Sequence, residues 1–284
     1  MNTLGKRKYS FLLGAVLGLS VLSTTPSFAY AANVQQEPNE ELVQAISWMQ
    51  TSAEYRELCY QAYNAASAEI DKVLATHRKS EKPLAIILDC DETIIGNTAL
   101  MAGAVDTARD YNLDWDAWEV AGKAAAMPGA VEFLQSVDRK GVQIFYVSNR
   151  SAARSCKESS DNLRVLGFPQ IEPDHMLFKV DTGDKKARFR SITDRYDVIL
   201  YLGDSTTDLP LDAHGKDAAT RRQIVDEHKN EFGSKYIVLP NPVYGSWMSS
   251  LDKDYWNLTP EQRSRVHKAA LTKWRAEQEN QSKE

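Results

Sequence analysis

An acidic motif that directly follows an apolar run constrains the fold of this chain more than any other feature. Residues 84–88 are all apolar, and the motif Asp89-Cys-Asp91-Glu-Thr93 comes next. Such a run between polar residues predicts a strand of a parallel sheet, buried on both faces. Ligands bind at the carboxyl ends of strands in open α/β sheets. The motif therefore indicates either a pair of catalytic carboxylates or a helix cap, because Asp and Thr also begin helices.

Three further segments predict strands of the same sheet. Apolar runs at residues 143–147, 197–202 and 236–239 alternate with stretches of helical periodicity. Strands that alternate with helices form parallel sheets through right-handed crossovers. We therefore predict an α/β fold, in which a parallel sheet is flanked by helices.

Two helical segments and a C-terminal helix complete the predicted architecture. Residues 40–77 place apolar side chains near one helical face, and residues 94–127 form a separable insertion rich in Ala, Asp and Trp. We interpret these segments as a helical cap over a core formed by about residues 83–93 and 128–250. A Thr cap followed by Pro predicts the final helix, at about residues 259–277.

The first residues have the composition of a secretory signal peptide. The basic stretch Lys6-Arg-Lys8 precedes an apolar segment at 11–22, and small residues around Ala29 and Ala31 offer cleavage sites. The apolar segment is shorter than the roughly 20 residues that span a bilayer, so a cleaved signal is favoured over an uncleaved anchor. The predicted signal is residues 1–31, and the predicted mature domain is the rest of the chain.

The predicted signal peptide places the mature chain outside the cytoplasm, in a periplasm or in the medium. No cysteine lies near the cleavage region, which argues against a lipid anchor, and we expect no stable membrane span in the mature chain. The net charge of −5 and the pI near 5.7 argue against a nucleic-acid-binding protein. The three cysteines cannot all pair with one another, and Cys90 is expected to be a buried packing residue.

Polar side chains follow three of the predicted strands. They are Asp89 and Asp91 after the first, Ser148 and Asn149 after the second, and Asp204 and Asp208 after the third. Each strand-to-helix turn of a parallel sheet opens on the same edge. We therefore expect these side chains, which are far apart in sequence, to converge on one site.

These motifs together resemble the haloacid-dehalogenase-like (HAD) superfamily of phosphotransferring enzymes, and more closely its class C acid phosphatases. The segments that carry the resemblance are Trp48-Met-Gln-Thr-Ser-Ala-Glu-Tyr-Arg56, Asp89-Cys-Asp-Glu-Thr93, Pro128-Gly-Ala-Val-Glu-Phe133, Tyr146-Val-Ser-Asn-Arg150, Gly203-Asp204 and Asn241-Pro-Val-Tyr-Gly-Ser-Trp247. They extend from about residue 40 to about residue 250. The resemblance implies a Rossmannoid sheet with a helical cap, and an exported acid phosphatase that hydrolyses phosphate monoesters.

The resemblance also implies a role for each matched side chain. Asp89 is the expected nucleophile, which forms an aspartyl-phosphate. Asp91 is expected to protonate the leaving alkoxide and then to activate water. Ser148 is expected to donate a hydrogen bond to a phosphoryl oxygen, helped by backbone N–H groups of its turn, with Asn149 beside it in substrate binding.

A lysine before the third strand belongs to the same pattern. The resemblance aligns Lys185, in the segment Lys185-Lys-Ala-Arg-Phe189, with the catalytic lysine of the family, and Lys186 is the alternative. Its expected role is to hold the phosphate and the ionised nucleophile as a fixed positive charge.

Mg²⁺ is the cofactor that the resemblance implies. Its protein ligands would be the carboxylates of Asp89 and Asp204 and the backbone carbonyl of Asp91, since this cation prefers oxygen ligands. Asp208 belongs to the same acidic motif and is expected mainly behind the ligands. Loop capping is the alternative interpretation of the Asp204 and Asp208 pair.

Two aromatic residues indicate the substrate class. Trp115 lies in the insertion, and Tyr244 lies after the fourth predicted strand. In family members that act as nucleotidases, aromatic residues at these positions stack on a nucleobase, which favours nucleoside 5′-monophosphates as substrates. The alternative is that both rings are core residues. Gly96 stands where many family members carry Asp, so contacts just after the acidic motif are expected to differ.

Two alternative functions stay open on the sequence. The first is a broad acid phosphatase without a base preference, and the second is a non-catalytic surface protein that binds haem or a nucleotide. A phosphomutase could share the aspartate pair, but the signal peptide argues against it. The sequence also leaves open whether the protein forms a homodimer.

Overall fold

Seven β-strands are present in the part of the chain that the computed structural model describes, which is residues 39–77, 82–105, 107 and 110–274. The strands are β1 (Leu84–Leu88), β2 (Ile95–Gly96), β3 (Ala125–Ala126), β4 (Gln143–Ser151), β5 (Met176–Lys179), β6 (Asp197–Gly203) and β7 (Tyr236–Val238). Five of them form one parallel sheet in the order β5-β4-β1-β6-β7, and β2 and β3 form a separate antiparallel pair.

Helices flank this sheet along the same described residues. The α-helices are α1 (Val43–Thr51), α2 (Ala53–Leu74), α3 (Thr98–Ala104), α4 (Trp115–Ala121), α5 (Ala130–Arg139), α6 (Cys156–Leu166), α7 (Lys186–Thr193), α8 (Ala218–Glu227), α9 (Ser246–Ser249) and α10 (Pro260–Ala269). Short 3₁₀ helices lie between them, at Glu40–Leu42, Tyr111–Asp114, Pro173–His175, Thr206–Asp208 and Tyr255–Asn257. The predicted α/β fold with a parallel sheet flanked by helices is confirmed.

Both faces of the sheet are buried, as the uninterrupted apolar run of β1 predicts. Alternate residues of β1 enter two apolar clusters, with Ile86 and Leu88 on the side of α2, α5 and α6, and Ala85 and Ile87 on the side of α7 and α8. β1 pairs with β4 on one side and with β6 on the other. The residues that follow β1 therefore emerge in the middle of the sheet edge.

The structure contains one strand that the sequence analysis missed. β5 is four residues long, and only two of them are buried, so it lacks the apolar run by which the other strands were recognised. β5 pairs with β4, and β4 continues to Ser151, beyond the predicted end at residue 147. This extension carries Asn149 and Arg150 along the sheet edge.

The long N-terminal helix expected from the periodicity is two helices, because Ser52 interrupts it. Ser52 has extended backbone (φ −79°, ψ 147°), and its hydroxyl caps α2 by accepting a hydrogen bond from the amide of Tyr55 (3.1 Å). α2 packs on α5, where the rings of Tyr63 and Phe133 stack with centroids 5.2 Å apart. The Tyr63 hydroxyl donates to the carbonyl of Thr93 (2.5 Å). The N-terminal segment therefore supports the turn that carries the acidic motif.

The C-terminal helix begins as predicted and ends earlier. Thr259 and Gln262 form a reciprocal capping box with Pro260 at the first position, but α10 stops at Ala269 rather than at residue 277. Leu271 and Trp274 are exposed, so no packing supports further turns, and helices this short need such support. Residues 275–277 of the predicted helix lie outside the described residues.

All described residues fall within one compact unit, so the division into cap and core stays a prediction. The predicted signal peptide lies outside the described residues. Within the described residues, no helix combines the length and the apolar character needed to cross a bilayer. The three cysteines are free, with Cys59 and Cys90 buried and Cys156 partly exposed.

Candidate active site

One cavity at the carboxyl edge of the sheet collects the predicted site residues. Its volume is about 210 Å³, and it lies where β1, β4 and β6 end. Every predicted site residue except Ser148 lines it, namely Asp89, Asp91, Trp115, Asn149, Lys185, Asp204, Asp208 and Tyr244. The side chains expected to converge from distant parts of the sequence therefore meet in one place.

The sheet itself positions Asp89 and Asp204. The amide of Asp89 donates to the carbonyl of Leu202 (3.0 Å), so the pairing of β1 with β6 continues one residue past β1. Asp204 follows directly on β6, and its Oδ2 accepts a hydrogen bond from Nδ2 of Asn241 (2.8 Å). Both carboxylates are thus fixed beside each other at the cavity floor.

Lys185 lies between two of the carboxylates. Its ammonium donates to Oδ1 of Asp89 and lies 2.8 Å from Oδ1 of Asp208, and the side chain is 2% exposed. Burial lowers the pKa of Lys185, but the two carboxylates outweigh burial and hold it above its ordinary value. Lys186, the alternative candidate, is 52% exposed and pairs with Asp212. The structure therefore places Lys185, and not Lys186, in the cavity.

The acidic groups of the cavity carry more negative charge than the lysine can compensate. Oxygen atoms of Asp89, Asp204 and Asp208 lie within 4.8 Å of one another. Burial raises the pKa of Asp89 to about 7, with Lys185 opposing the shift, and burial and the neighbouring carboxylates raise the pKa of Asp204. Three carboxylates against one ammonium leave two negative charges when all are ionised. An all-oxygen donor set with that charge fits a hard divalent cation.

Asp208 forms the loop cap that the sequence analysis gave as the alternative, and it also binds Lys185. Its Oδ2 accepts from the amide of Ser205 (2.9 Å) in the capping box of the 3₁₀ helix Thr206–Asp208, and its Oδ1 pairs with Lys185. It is therefore both a loop cap and the residue that fixes the lysine.

Gly203→Ala is expected to disrupt this arrangement, because an added Cβ would lie 2.3 Å from Cβ of Asp208. Either β6 or Asp208 must then move, and Lys185 moves with Asp208. We expect kcat to fall by about tenfold or more. The steric overlap should also cost about 1–3 kcal/mol of folding free energy, which lowers the melting temperature by several degrees. Steady-state kinetics measure the first effect, and thermal unfolding measures the second.

Gly103→Ala is the matched control for that substitution. Gly103 lies in α3, and an added Cβ there meets no atom within 4 Å. Alanine also favours a helix over glycine by up to about 1 kcal/mol. This variant should keep its activity and its stability. Wild-type kinetics in Gly203→Ala would contradict the proposed importance of the Asp208 position.

Asp91 is held by a buried arginine that the sequence analysis missed. Arg150 is 2% exposed, and its Nη2 and Nε lie 2.7 Å and 3.0 Å from Oδ1 of Asp91. Nδ2 of Asn97 donates to the same oxygen (2.8 Å), whereas Oδ2 receives a single contact, from Arg150 Nε at 3.2 Å. The hydrogen bonds therefore converge on one carboxylate oxygen and leave the other more available.

One sequence signal could have identified Arg150. It follows Ser148 by two positions directly after an apolar run, so both side chains lie on the same face if the strand continues through them. A buried arginine needs an anionic partner. Asp89 and Asp91, which the sequence analysis expects at the same edge of the sheet, are such partners.

The end of β4 with Ser148 and Asn149 is held by a second arginine. The Ser148 side chain is fully buried, and its Oγ accepts from the amide of Arg150 (3.1 Å). Arg188 donates to the carbonyl of Ser148 (2.6 Å) and to Oδ1 of Asn149 (2.6 Å), and Asn149 Nδ2 donates to the carbonyl of Gly183 (3.1 Å). Asn149 thus faces the cavity, while the contact of Ser148 with a phosphoryl oxygen stays a prediction.

The two aromatic candidates touch each other at the cavity rim. The rings of Trp115 and Tyr244 pack edge to face, with centroids 5.2 Å apart and planes at 68°. This spacing leaves no room for a base between them, so a base would stack on an outer face or separate the rings.

Each of these rings is bound to a buried carboxylate. The Tyr244 hydroxyl donates to Glu92, and Trp115 Nε1 donates to Oε1 of Glu119 (2.7 Å). Glu92 also accepts from the amide of Asn97 (2.6 Å), and burial followed by the nearby Asp91 raises its pKa to about 7. Glu92 lies within the first acidic motif and Glu119 lies outside the motifs, and the sequence analysis assigned a role to neither.

Comparison with known proteins extends the likeness beyond these motifs. The family model described as HAD superfamily, subfamily IIIB (acid phosphatase), matches residues 18–247. The structure of the class C acid phosphatase from Bacillus anthracis is similar, with 32% identity and a TM-score of 0.80, over 84% of this chain and 99% of that chain. A crystal structure of the Bacillus anthracis enzyme with tungstate bound has 31% identity and a TM-score of 0.79 over the same shares. The family match includes every site residue described above.

Proposed function

The chain belongs to the acid phosphatases of HAD subfamily IIIB and is a phosphomonoesterase, and from this membership we propose an exported, Mg²⁺-dependent nucleotidase. Its proposed substrates are nucleoside 5′-monophosphates, and the proposed reaction passes through an aspartyl-phosphate. One observation carries the proposal, which is the group of Asp89, Lys185, Asp204 and Asp208 around a small cavity at the sheet edge. Export rests on the signal-peptide features alone, and N-terminal sequencing of protein recovered outside the cytoplasm tests it.

Asp89 is the proposed nucleophile. Lys185 binds its Oδ1, so we assign the attack on phosphorus to its other oxygen. The bond from Asp89 to phosphorus forms as the bond from phosphorus to the ester oxygen breaks. Lys185 favours the anionic form of Asp89 against the burial that raises its pKa, and it offers positive charge to the phosphoryl oxygens.

Asp91 is the proposed proton carrier. Because Arg150 and Asn97 direct their hydrogen bonds at Oδ1, we place the transferable proton on Oδ2. Asp91 gives this proton to the leaving alkoxide, and in the second step it takes a proton from the water that attacks the aspartyl-phosphate. The same atom thus serves both steps.

Mg²⁺ would be held by the carboxylates of Asp89 and Asp204 and by the carbonyl of Asp91. Bound there, it would offset the repulsion between the anionic nucleophile and the phosphate. Asp208 is occupied by Lys185 and by the amide of Ser205, which supports its place behind the ligands.

The cavity size supports an arrangement in which only part of the substrate is enclosed. Sites that surround a whole small molecule usually measure about 300–1,000 Å³. The present cavity of about 210 Å³ suits the phosphate group, with the alcohol part of the ester reaching the rim. Trp115 and Tyr244 lie at that rim, and aromatic stacking accepts different bases.

A phosphate-release screen tests the proposal. We expect nucleoside 5′-monophosphates to be hydrolysed faster than 3′-nucleotides and glycerol 3-phosphate, with activity lost to a chelator and restored by Mg²⁺. Trp115→Ala should lower kcat/KM for nucleotides by roughly 5- to 150-fold, the equivalent of about 1–3 kcal/mol of stacking. Glycerol 3-phosphate, which has no ring, is the matched control substrate.

Two results would support the alternatives instead. Equal kcat/KM for nucleotides and glycerol 3-phosphate would indicate a broad acid phosphatase. Tight binding of a nucleotide or of haem without any phosphate release, with Mg²⁺ present, would indicate a binding protein.

A further inference from the structure

A buried carboxylate at the cavity, Glu119, has no part in the proposed chemistry. It lies in α4 and is 3% exposed. Its two oxygens bind different partners, since Oε1 accepts from Nε1 of Trp115 (2.7 Å) and Oε2 accepts from Oγ of Ser155 (2.5 Å). Glu119 therefore joins a ring at the rim to the segment that precedes α6.

The surroundings offset the cost of burying this charge. Ser155 precedes α6, and its hydroxyl binds Glu119 instead of capping its own helix. The carboxylate is thereby held beside a helix N-terminus, where negative charge is favourable. The positive charge of Arg150 is also near enough for Glu119 to raise the pKa of that arginine. Both oxygens of the buried carboxyl group therefore have hydrogen-bond donors, and the short contact with Nε1 ties Trp115 to it.

The bond to Glu119 restricts the Trp115 ring. A tryptophan whose N–H is bound cannot rotate freely about its side-chain torsions without losing that bond. The Trp115 ring also packs against Tyr244, whose hydroxyl is bound to Glu92. The ring face that Trp115 offers at the rim is therefore set by Glu119.

We propose that Glu119 is a positioning residue that sets the base preference of this enzyme by fixing the plane of Trp115 at the cavity rim. The inference rests on the proposed function, in which a nucleobase stacks at Trp115. It assigns Glu119 no contact with the phosphate or with the reacting atoms.

A competing explanation is that Glu119 only docks α4 onto α6. The structure provides a control for it, because Asp116 in α4 forms a second link to this region, an ion pair with Arg154 (3.0 Å). Both side chains are more than half exposed, and neither belongs to the cavity lining. Asp116→Ala weakens docking of the same helix without touching Trp115.

Steady-state kinetics on a nucleoside 5′-monophosphate and on glycerol 3-phosphate separate these explanations. Both substrates are esters of primary alcohols, and only the nucleotide carries a base. Glu119→Leu should raise KM for the nucleotide by about tenfold with little change in kcat. The same variant should raise KM for glycerol 3-phosphate much less. Glu119→Gln keeps an acceptor for Trp115 and should recover most of the nucleotide affinity. Asp116→Ala should leave the ratio of the two KM values as in the wild type.

A double-mutant cycle tests whether Glu119 acts through Trp115. Trp115→Phe keeps a ring but removes the N–H, so it should raise the nucleotide KM as Glu119→Leu does. The two losses should not add in the double variant, because both remove the same hydrogen bond. If Glu119→Leu does not fold, as judged by circular dichroism, then Glu119→Gln and Trp115→Phe carry the comparison.

Three results would overturn the inference. They are additive losses in the cycle, an equal rise in KM for both esters in Glu119→Leu, and a changed ratio in Asp116→Ala. If the wild-type enzyme prefers nucleotides and the Glu119→Leu variant shows the same preference, the inference is refuted and the proposed function stands. A wild-type enzyme with no base preference refutes the base stacking of the proposed function, and the inference falls with it.

Discussion

Asp89→Asn is expected to abolish hydrolysis of every phosphate ester while the protein stays folded. The amide cannot form the aspartyl-phosphate, because it lacks the negative charge and the nucleophilicity of the carboxylate. Loss of a catalytic nucleophile typically costs roughly 10⁴- to 10⁶-fold in kcat. Phosphate release under single-turnover conditions measures the effect. Undiminished hydrolysis by this variant would contradict the assigned mechanism.

The fold of Asp89→Asn should survive for an electrostatic reason. The substitution removes one of three crowded carboxylates and so lowers their mutual repulsion, while Lys185 keeps Asp208 as a partner. The melting temperature without added metal should therefore be no lower than in the wild type. Asp212→Asn is the matched control, because Asp212 is 71% exposed, pairs with Lys186 and has a φ of 57°, which Asn tolerates well. It should leave both activity and stability unchanged.

Arg150→Met is expected to affect stability and chemistry together. Removing one partner of a buried ion pair costs about 3–5 kcal/mol, since Asp91 loses its guanidinium. For a domain of this size the melting temperature should fall by roughly 6–20 °C. Thermal unfolding measures this first effect.

The chemical effect of Arg150→Met should depend on the leaving group. Without Arg150 the Asp91 carboxyl group is no longer held in position to protonate the leaving group. General-acid catalysis raises the rate roughly 10²- to 10⁴-fold for a poor leaving group. kcat/KM for an alkyl ester such as a nucleotide should therefore fall about 10²-fold or more. The loss for p-nitrophenyl phosphate should be much smaller, since the weakly basic p-nitrophenoxide leaves with little help from an acid.

Two further variants keep this result interpretable. Arg154→Met removes an exposed arginine that pairs with Asp116, and it should change stability by less than about 1 kcal/mol. Arg150→Lys retains the charge but not the fork of donors, and it serves if Arg150→Met fails to fold. Equal losses for both classes of ester would show that Arg150 does not act through Asp91.

The centre of the fold could be predicted from the sequence because its signals are local. β1 is wholly apolar and ends in carboxylates, so both its burial and its chemistry are visible within ten residues. β5 was missed because only alternate residues of a four-residue strand are buried. The break at Ser52 was missed because the apolar periodicity continues across it, and only the cap hydrogen bond marks it.

The acidic residues of the site were predicted for the same reason, and their supports were not. Asp89, Asp204 and Lys185 stand in recognisable motifs. Arg150 binds Asn97 across 53 positions of the chain and Asp91 across 59 positions. Such contacts depend on the register of the sheet and on how the insertion packs, which no local pattern encodes. The edge-to-face contact of Trp115 with Tyr244 is hidden from the sequence in the same way.

Asn97 has a consequence for how the substrate range of this enzyme could be altered. Its side-chain amide donates to Asp91 and to Glu92 at once, and Glu92 is bound by Tyr244. The proposed proton carrier and one rim residue are therefore joined through shared hydrogen bonds, and we expect a mutation at Tyr244 to affect turnover as well as selectivity. Trp115 is anchored elsewhere, through Glu119. We therefore expect substitutions at Trp115 to change substrate preference with a smaller effect on kcat than substitutions at Tyr244.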